Sequence, residues 1–446
     1  MKSFKIKIAL VTIILCCFSK AFADDDAIKI GFISYLSGPA SSDYGLPAKH
    51  AAEAIIKSIN AGNAPTPYSM KGFSGTQIEL IFLDEAGGST KQVTEFTQLV
   101  MRHKVDFVIG YLSSTNCLAV APVAEKLKIL TILLDCGTAR IFEENDFKYV
   151  FRTRSHSTMD VIAAAKYFLT DHPEIKNFSG INPNYAYGRE SWRDWNAVMS
   201  ILAPQAEKQS SQMPKLHAGL YGSEISSLAR KKSDVIYSSL WGGDLKAFLM
   251  QASPRELFKE TKLILVAGEP NLQNLAGFIP DGTIVTSRGM TSGMMENDSK
   301  LNRWLIEIFQ EKSGGLATYP VYSTANAILG LKKAYEKARL TKLQKAVPMA
   351  DVAGVQDGMK QAYLPPNTKQ IIAAFEGLDF ETPNGRVEMA LGKGHQAIHG
   401  TSYGTTRTKD GKVYTENVKF FPAKEVQPPK NIKSLDWILN GFQLTK

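Results

Sequence analysis

Two short polar clusters carry the donors that a small anion needs. Ser113, Ser114, Thr115 and Asn116 follow an apolar run at residues 105–109 and precede a helical pattern. Asp135, Cys136, Gly137 and Thr138 end the next apolar run. Side-chain hydroxyls and the free N–H groups at the start of a helix together make an anion site. Each loop taken alone is also an ordinary helix cap. Two such loops in series offer Ser, Thr and backbone donors to one small carboxylate, worth about 1.5–3 kcal/mol per charge-assisted hydrogen bond.

Motifs that suggest catalysis lack their context. "GTSYG" at residues 400–404 matches G-x-S-x-G around Ser402, but that elbow needs a strand before the serine and a helix after it. Residues 405–420, "TTRTKDGKVYTENVKF", read instead as a turn and strands. His395 and His399 in "HQAIH" have zinc-like spacing, yet the Glu of H-E-x-x-H is missing, and Gly392 and Gly394 weaken a helix there. "GKGHQA" imitates a dinucleotide loop without opening a βαβ unit. The chain is read as a binder and not an enzyme, with no cofactor or metal; a secreted serine hydrolase at Ser402 is the distant alternative.

The elements that must position these residues follow from hydrophobic period. Strands are expected at residues 28–33, 79–83, 105–109 and 129–133, separated by amphipathic helices. Pro47 opens the first helix and Gly62 ends it; Pro122 lies inside the helix expected at 118–127. The alternation restarts after Arg152, with strands at 177–181, 235–239 and 262–267. Residues 300–340 read as helical, and the pattern weakens beyond Val347. Alternating strands and helices mean parallel sheets covered on both faces, and 446 residues suit two lobes better than one core. Ligands of such sheets bind outside the carboxyl ends of the strands.

Lys2, Lys5 and Lys7, an apolar run at 8–18, and Ala21-Phe22-Ala23 make a secretory signal cleaved after Ala23. Removing that segment, residues 1–23, takes four lysines and lowers the formal net charge from +9 to +5. The remaining charges are scattered, with no basic stripe for nucleic acid. Cys117 and Cys136 remain as an even pair in an oxidising compartment, either bridged or as two buried thiols.

The order of several stretches resembles the periplasmic binding proteins of the leucine/isoleucine/valine-binding type, family I of the two-lobed solute receptors. "IKIGFISYLSGPASSDYG" is similar to that family's opening strand and loop, and "VDFVIGYLSSTNCLAVAPVAEKLKILTI" to the strand, Ser-rich loop and helix that come next. "YVFRTRSHS", "NYAYGRE", "LVAGEP" and "YPVYSTANAILGL" come in the family's order, over residues 28–400. The loop holding Tyr44 is one residue longer than the family's pattern, and the segment between Trp241 and Glu269 is also longer. The resemblance implies that Ser113, Ser114 and Thr138, with backbone at Cys136 and Gly137, hold a ligand carboxylate. It implies that Tyr44 walls the first lobe, that Tyr187 and Trp241 close from the second, that Glu269 meets a ligand ammonium, and that Tyr319 lines the side-chain pocket. Each aromatic also has the ordinary alternative of a rim or core residue.

The expectation is an α/β protein of two doubly wound parallel-sheet lobes joined by a three-segment hinge, a Venus flytrap of the type I periplasmic binding fold. Lobe 1 would hold residues 27–152 and 288–376, lobe 2 residues 153–287 and 377–421, and residues 422–446 would pack on the surface. Adjacent parallel strands would bring Cys117 and Cys136 within bridging distance. Arg154 and His156 fall at the first crossing, as a cationic pair reaching an anionic ligand or as a surface Arg beside a solvated His. The resemblance implies a monomeric solute receptor that hands an amino acid, or else an aromatic or other organic acid, to the membrane permease of an ABC transporter. A sensor of the same fold feeding a chemoreceptor or kinase is the rival.

Overall fold

The computed structural model describes residues 27–291, 293–294, 297–346 and 364–443. The expected secretory segment and the cleavage expected after Ala23 lie outside the described residues. Two mixed, mostly parallel sheets, each flanked by helices, form two lobes. The strands in chain order are β1 (Ile28–Ser34), β2 (Ile78–Asp84), β3 (Phe107–Gly110), β4 (Thr131–Leu133), β5 (Val150–Arg152), β6 (Asn177–Ile181), β7 (Glu207–Gln212), β8 (Val235–Ser238), β9 (Lys262–Leu265), β10 (Ile284–Thr286), β11 (Asp379–Thr382), β12 (Gly385–Leu391), β13 (Gln396–Ile398), β14 (Thr401–Lys409) and β15 (Lys412–Phe421). The first sheet runs β11-β12-β13-β5-β4-β3-β1-β2, and the second β15-β14-β10-β9-β8-β6-β7.

Strand side chains alternate between two cores, as the pleat requires. In β3, Phe107 and Ile109 face one core of lobe 1 while Val108 faces the other. In β8, Val235 and Tyr237 face one core of lobe 2 while Ile236 faces the other. The helices that matter for the site are α1 (Leu46–Ala61), α2 (Ser89–Met101), α3 (Ser114–Leu127), the short α4 (Arg140–Glu143), α5 (Ser157–Asp171), α6 (Ala186–Leu202), α7 (Gly222–Lys231) and α8 (Gly242–Ala252). α3 begins four residues earlier than its apolar period, because Ser114, Thr115 and Asn116 form its first turn. Pro122 lies inside it.

The chain crosses between sheets after β5, after β10 and after β13. The last crossing is a correction. The boundary expected after residue 376 moves to residues 399–400, because β11, β12 and β13 all pair within the first sheet. β11 and β12 form a hairpin turning at Pro383 and Asn384, and β13 lies parallel to β5. The end of the chain is also more than a surface cover. A short helix, Ser434–Leu439, packs on α6 and buries Trp437 and Ile438 in a lobe 2 core.

Candidate ligand-binding site

The carboxyl ends of β1, β3 and β4 in lobe 1 face those of β6, β8 and β9 in lobe 2, and the lobes touch. Tyr44, carried on a π-helical turn (Ser41–Gly45), donates its hydroxyl to the carbonyl of Ala267. Such a turn takes up an extra residue. Asp43 accepts from Asn271 (2.7 Å) and Asn274 (2.6 Å), and the N–H of Gly243 donates to the carbonyl of Pro39 (2.8 Å). The described conformation is therefore closed.

At the strand ends the donors are already engaged. Glu85, just beyond β2, accepts from the N–H groups of Leu112 (2.7 Å) and Ser113 (2.8 Å) and from the Asn116 amide (3.0 Å). Burial pushes its carboxyl up to about 7 against the pull of those donors. Ser114 and Thr138 do meet: the Thr138 N–H donates to Ser114 Oγ at 3.2 Å. The Thr138 hydroxyl, however, donates to Glu190 of α6, at 2.9 and 2.7 Å to its two oxygens. Ser113, Ser114, Cys136 and Thr138 thus serve the protein's own carboxylates and backbone and do not border the cavity between the lobes. Cys117 and Cys136 are joined by a disulfide, with Cα atoms 6.4 Å apart.

Glu269 is likewise turned away. Its oxygens accept from the Thr291 hydroxyl (3.0 Å) and the Tyr319 N–H (2.9 Å), and it does not line the cavity. Burial pushes its carboxyl up to about 8 despite those two donors. It is therefore largely neutral at pH 7, a poor partner for an ammonium.

The interlobe cavity is small, about 20 Å³. The expected residues Tyr44, Gly137, Tyr187, Trp241 and Tyr319 border it, joined by Leu112, Asp135, Tyr185, Ala267 and Arg288. Tyr44 meets Trp241 and Tyr319 edge-on, with ring centres 5.2 and 5.8 Å apart. Gly137 allows Tyr187 to approach the backbone; a Cβ there would stand 2.8 Å from the ring.

Arg288, at the second crossing, occupies the centre. Its guanidinium lies 4.9 Å from the Tyr319 ring centre and 5.5 Å from that of Tyr187, within cation–π range. It donates to the Tyr187 hydroxyl (2.8 Å) and pairs with Asp160 (3.0 Å) and Asp135 (3.3 Å). Arg154 pairs with Asp135 (2.5 Å) and, more distantly, with Asp160 (3.6 Å). Arg154 and His156 are buried, which removes the solvent-exposed alternative for both. Burial raises the Asp160 carboxyl, and Arg288 and Arg154 oppose that rise. Arg152, Arg154 and Arg288 thus bring three buried guanidiniums to the crossings against the buried Asp135 and Asp160. Arg288 stood in no motif, since its role depends on where a crossing segment passes. Tyr185 stands in the same stretch, "NYAYGRE", as Tyr187.

His395 and His399 are structural. His395 bonds the Val150 carbonyl (2.9 Å) and Glu376 (3.0 Å) and stacks on Phe151, while His399 bonds the Asn384 carbonyl (3.0 Å). Ser402 lies within β14, opposite Phe420, rather than on a strand-to-helix turn.

A sequence profile described as periplasmic binding protein matches residues 27–412. The chain belongs to the periplasmic binding protein family. Solved structures share its fold. One is an ABC transporter solute-binding protein from R. palustris in complex with 4-hydroxybenzoate, at 19% identity and TM-score 0.71, covering 89% of this chain and 98% of the other. Another, from Rhodopseudomonas palustris BisB5 in complex with 3,4-dihydroxybenzoic acid, has 19% identity and TM-score 0.72, covering 91% and 99%. A third, an ABC-type branched-chain amino acid transporter protein from Rhodopseudomonas palustris CGA009, has 20% identity and TM-score 0.62, covering 91% and 100%. Among the described residues of this periplasmic binding protein, no helix is long and apolar enough to cross a membrane.

Proposed function

We propose that this periplasmic binding protein is the exported, monomeric solute-binding component of an ABC importer, and that its solute is a small aromatic carboxylate. The observation that carries this reading is Arg288, a buried fork of donors set among the rings of Tyr44, Tyr185, Tyr187, Trp241 and Tyr319. A guanidinium recognises a carboxylate bidentately, and the surrounding rings suit an aromatic guest. The amino-acid alternative asks for a free acid to meet an ammonium. Glu269 is consumed by Thr291 and Tyr319, and Asp135 by Arg154, whose pairing with it does not involve the Arg288 fork. The hydroxybenzoates bound by two structural neighbours lend support.

The closed cavity is well below the roughly 300 Å³ at which small-molecule pockets begin. Binding therefore proceeds with the lobes further apart, the ligand taking the Arg288 fork in place of Asp135. Closure then buries it, and a membrane permease receives the closed form. Thermal unfolding with 4-hydroxybenzoate, benzoate and leucine tests the solute, since a ligand that binds only the folded state raises the midpoint. The benzoates should raise it and leucine should not. Arg288→Ala should weaken benzoate binding about tenfold to a hundredfold by calorimetry. Stabilisation by leucine alone, or undiminished benzoate affinity in Arg288→Ala, overturns the proposal.

A further inference from the structure

A second cavity, of about 280 Å³, lies at the hinge and shares no lining residue with the interlobe cavity. One wall is lobe 1: the segment between β4 and β5, with Phe142 and Glu143, and the turn carrying Lys393. The opposite wall is the chain's end, with Ile432 and Lys433, just before the helix that is anchored in lobe 2. Its floor is the first crossing, through Arg152 and His156.

Arg152 is fully buried and incompletely satisfied. Its Nε donates to Gln396 (2.6 Å), and its Nη1 donates to the carbonyls of Cys136 (2.5 Å) and Thr138 (2.7 Å). Its Nη2 has no hydrogen-bond partner among the described residues, and neither has Nδ1 of the buried His156. A buried donor left unmatched is costly, the more so on a charged group. The other charged groups facing the cavity nearly balance: Lys393 pairs with Asp146, Glu143 accepts from Ser434, and Lys433 is exposed on the rim. With Arg152 the set carries one positive charge in excess. The rest of the lining includes Phe142, Phe147 and Ile432, and the Phe142 ring centre is 5.6 Å from the Arg152 guanidinium.

We infer that this hinge cavity is a second ligand site, built for a small organic monocarboxylate. The carboxylate lies on Arg152 Nη2, and the apolar body rests against Phe142 and Ile432. The net charge of the lining selects a monoanion, and its mixed character selects one with a hydrocarbon part over an inorganic ion. The site is independent of the cleft ligand.

Crystals soaked in 2-bromobutyrate and measured at the bromine edge locate the anion directly. An anomalous peak between Phe142 and Ile432, with the carboxylate on Nη2, is the expected result; ordered waters alone on Nη2 and Nδ1 overturn the inference. Calorimetry with butyrate on Arg288→Ala, which disables the cleft, should still register binding. Loss of all binding in that variant assigns butyrate to the cleft and overturns the hinge site. Arg152→Lys should abolish the signal. Because a buried change can disturb folding, Lys433→Glu on the rim supplies the independent arm, with an expected loss of about tenfold. Unchanged butyrate affinity in Lys433→Glu overturns the inference as well.

Discussion

A carboxyl held neutral in a protein interior makes stability depend on pH, and Glu269 is such a group. Its folded state keeps a proton up to about 8, where an exposed glutamate releases it near 4.5. The folded chain therefore binds more protons than the unfolded chain across that window, so this contribution to stability is complete below it and is lost as pH rises through it. Glu269→Gln mimics the neutral acid, accepting from Tyr319 and donating to Thr291. Thermal unfolding should show the variant close to the native protein at about pH 5 and more stable at about pH 9. An unaltered pH slope would contradict the assignment. At this scale the aromatic ring set was legible in Tyr44, Tyr187, Trp241 and Tyr319. The polar roles were not, because a hydroxyl or carboxylate takes whichever partner the tertiary structure brings. Ser114, Thr138 and Glu269 all found partners within the protein.

The same limit governs the elements. Seven strands of the two βαβ series follow from hydrophobic period, and their carboxyl ends carry the expected loops; β5 and β10 are only three residues long, and β7 (EKQSSQ) carries no apolar residue, so these and α7 after β7 went unread. The hairpin of β11 and β12 leaves a weak signal because it is short and interrupted at Pro383 and Asn384, although its buried Val387 and Met389 alternate with exposed Arg386 and Glu388. The disulfide ties α3 to the loop after β4, closing a loop of sequence separation 19. A crosslink of that span restrains the unfolded chain by about 2–4 kcal/mol. The double variant Cys117→Ser/Cys136→Ser should lose stability of that order in urea unfolding. A midpoint equal to that of the native protein would show that the bridge contributes nothing.

For the whole molecule the decisive quantity is the balance between open and closed lobes, set by contacts that exist in only one of them. Gly243 sits on that seam. Its N–H bonds Pro39, and a Cβ on it would stand 2.7 Å from the Pro39 Cβ. Gly243→Val should disfavour closure while leaving each lobe's core intact, so small-angle scattering should give a larger radius of gyration than the native protein. Equal radii would place the closing contacts elsewhere. The amino-acid sequence by itself determined the two parallel-sheet lobes and their aromatic seam, because period, capping and composition act over short stretches of chain. Only the tertiary structure decided which polar groups serve the protein's own contacts away from the cleft and which face it. Glu85 reaches the loop after β3, Glu190 reaches the loop after β4, and Arg288 enters the cleft from a crossing segment. Each of these meetings joins residues far apart in the chain, where no local pattern records them.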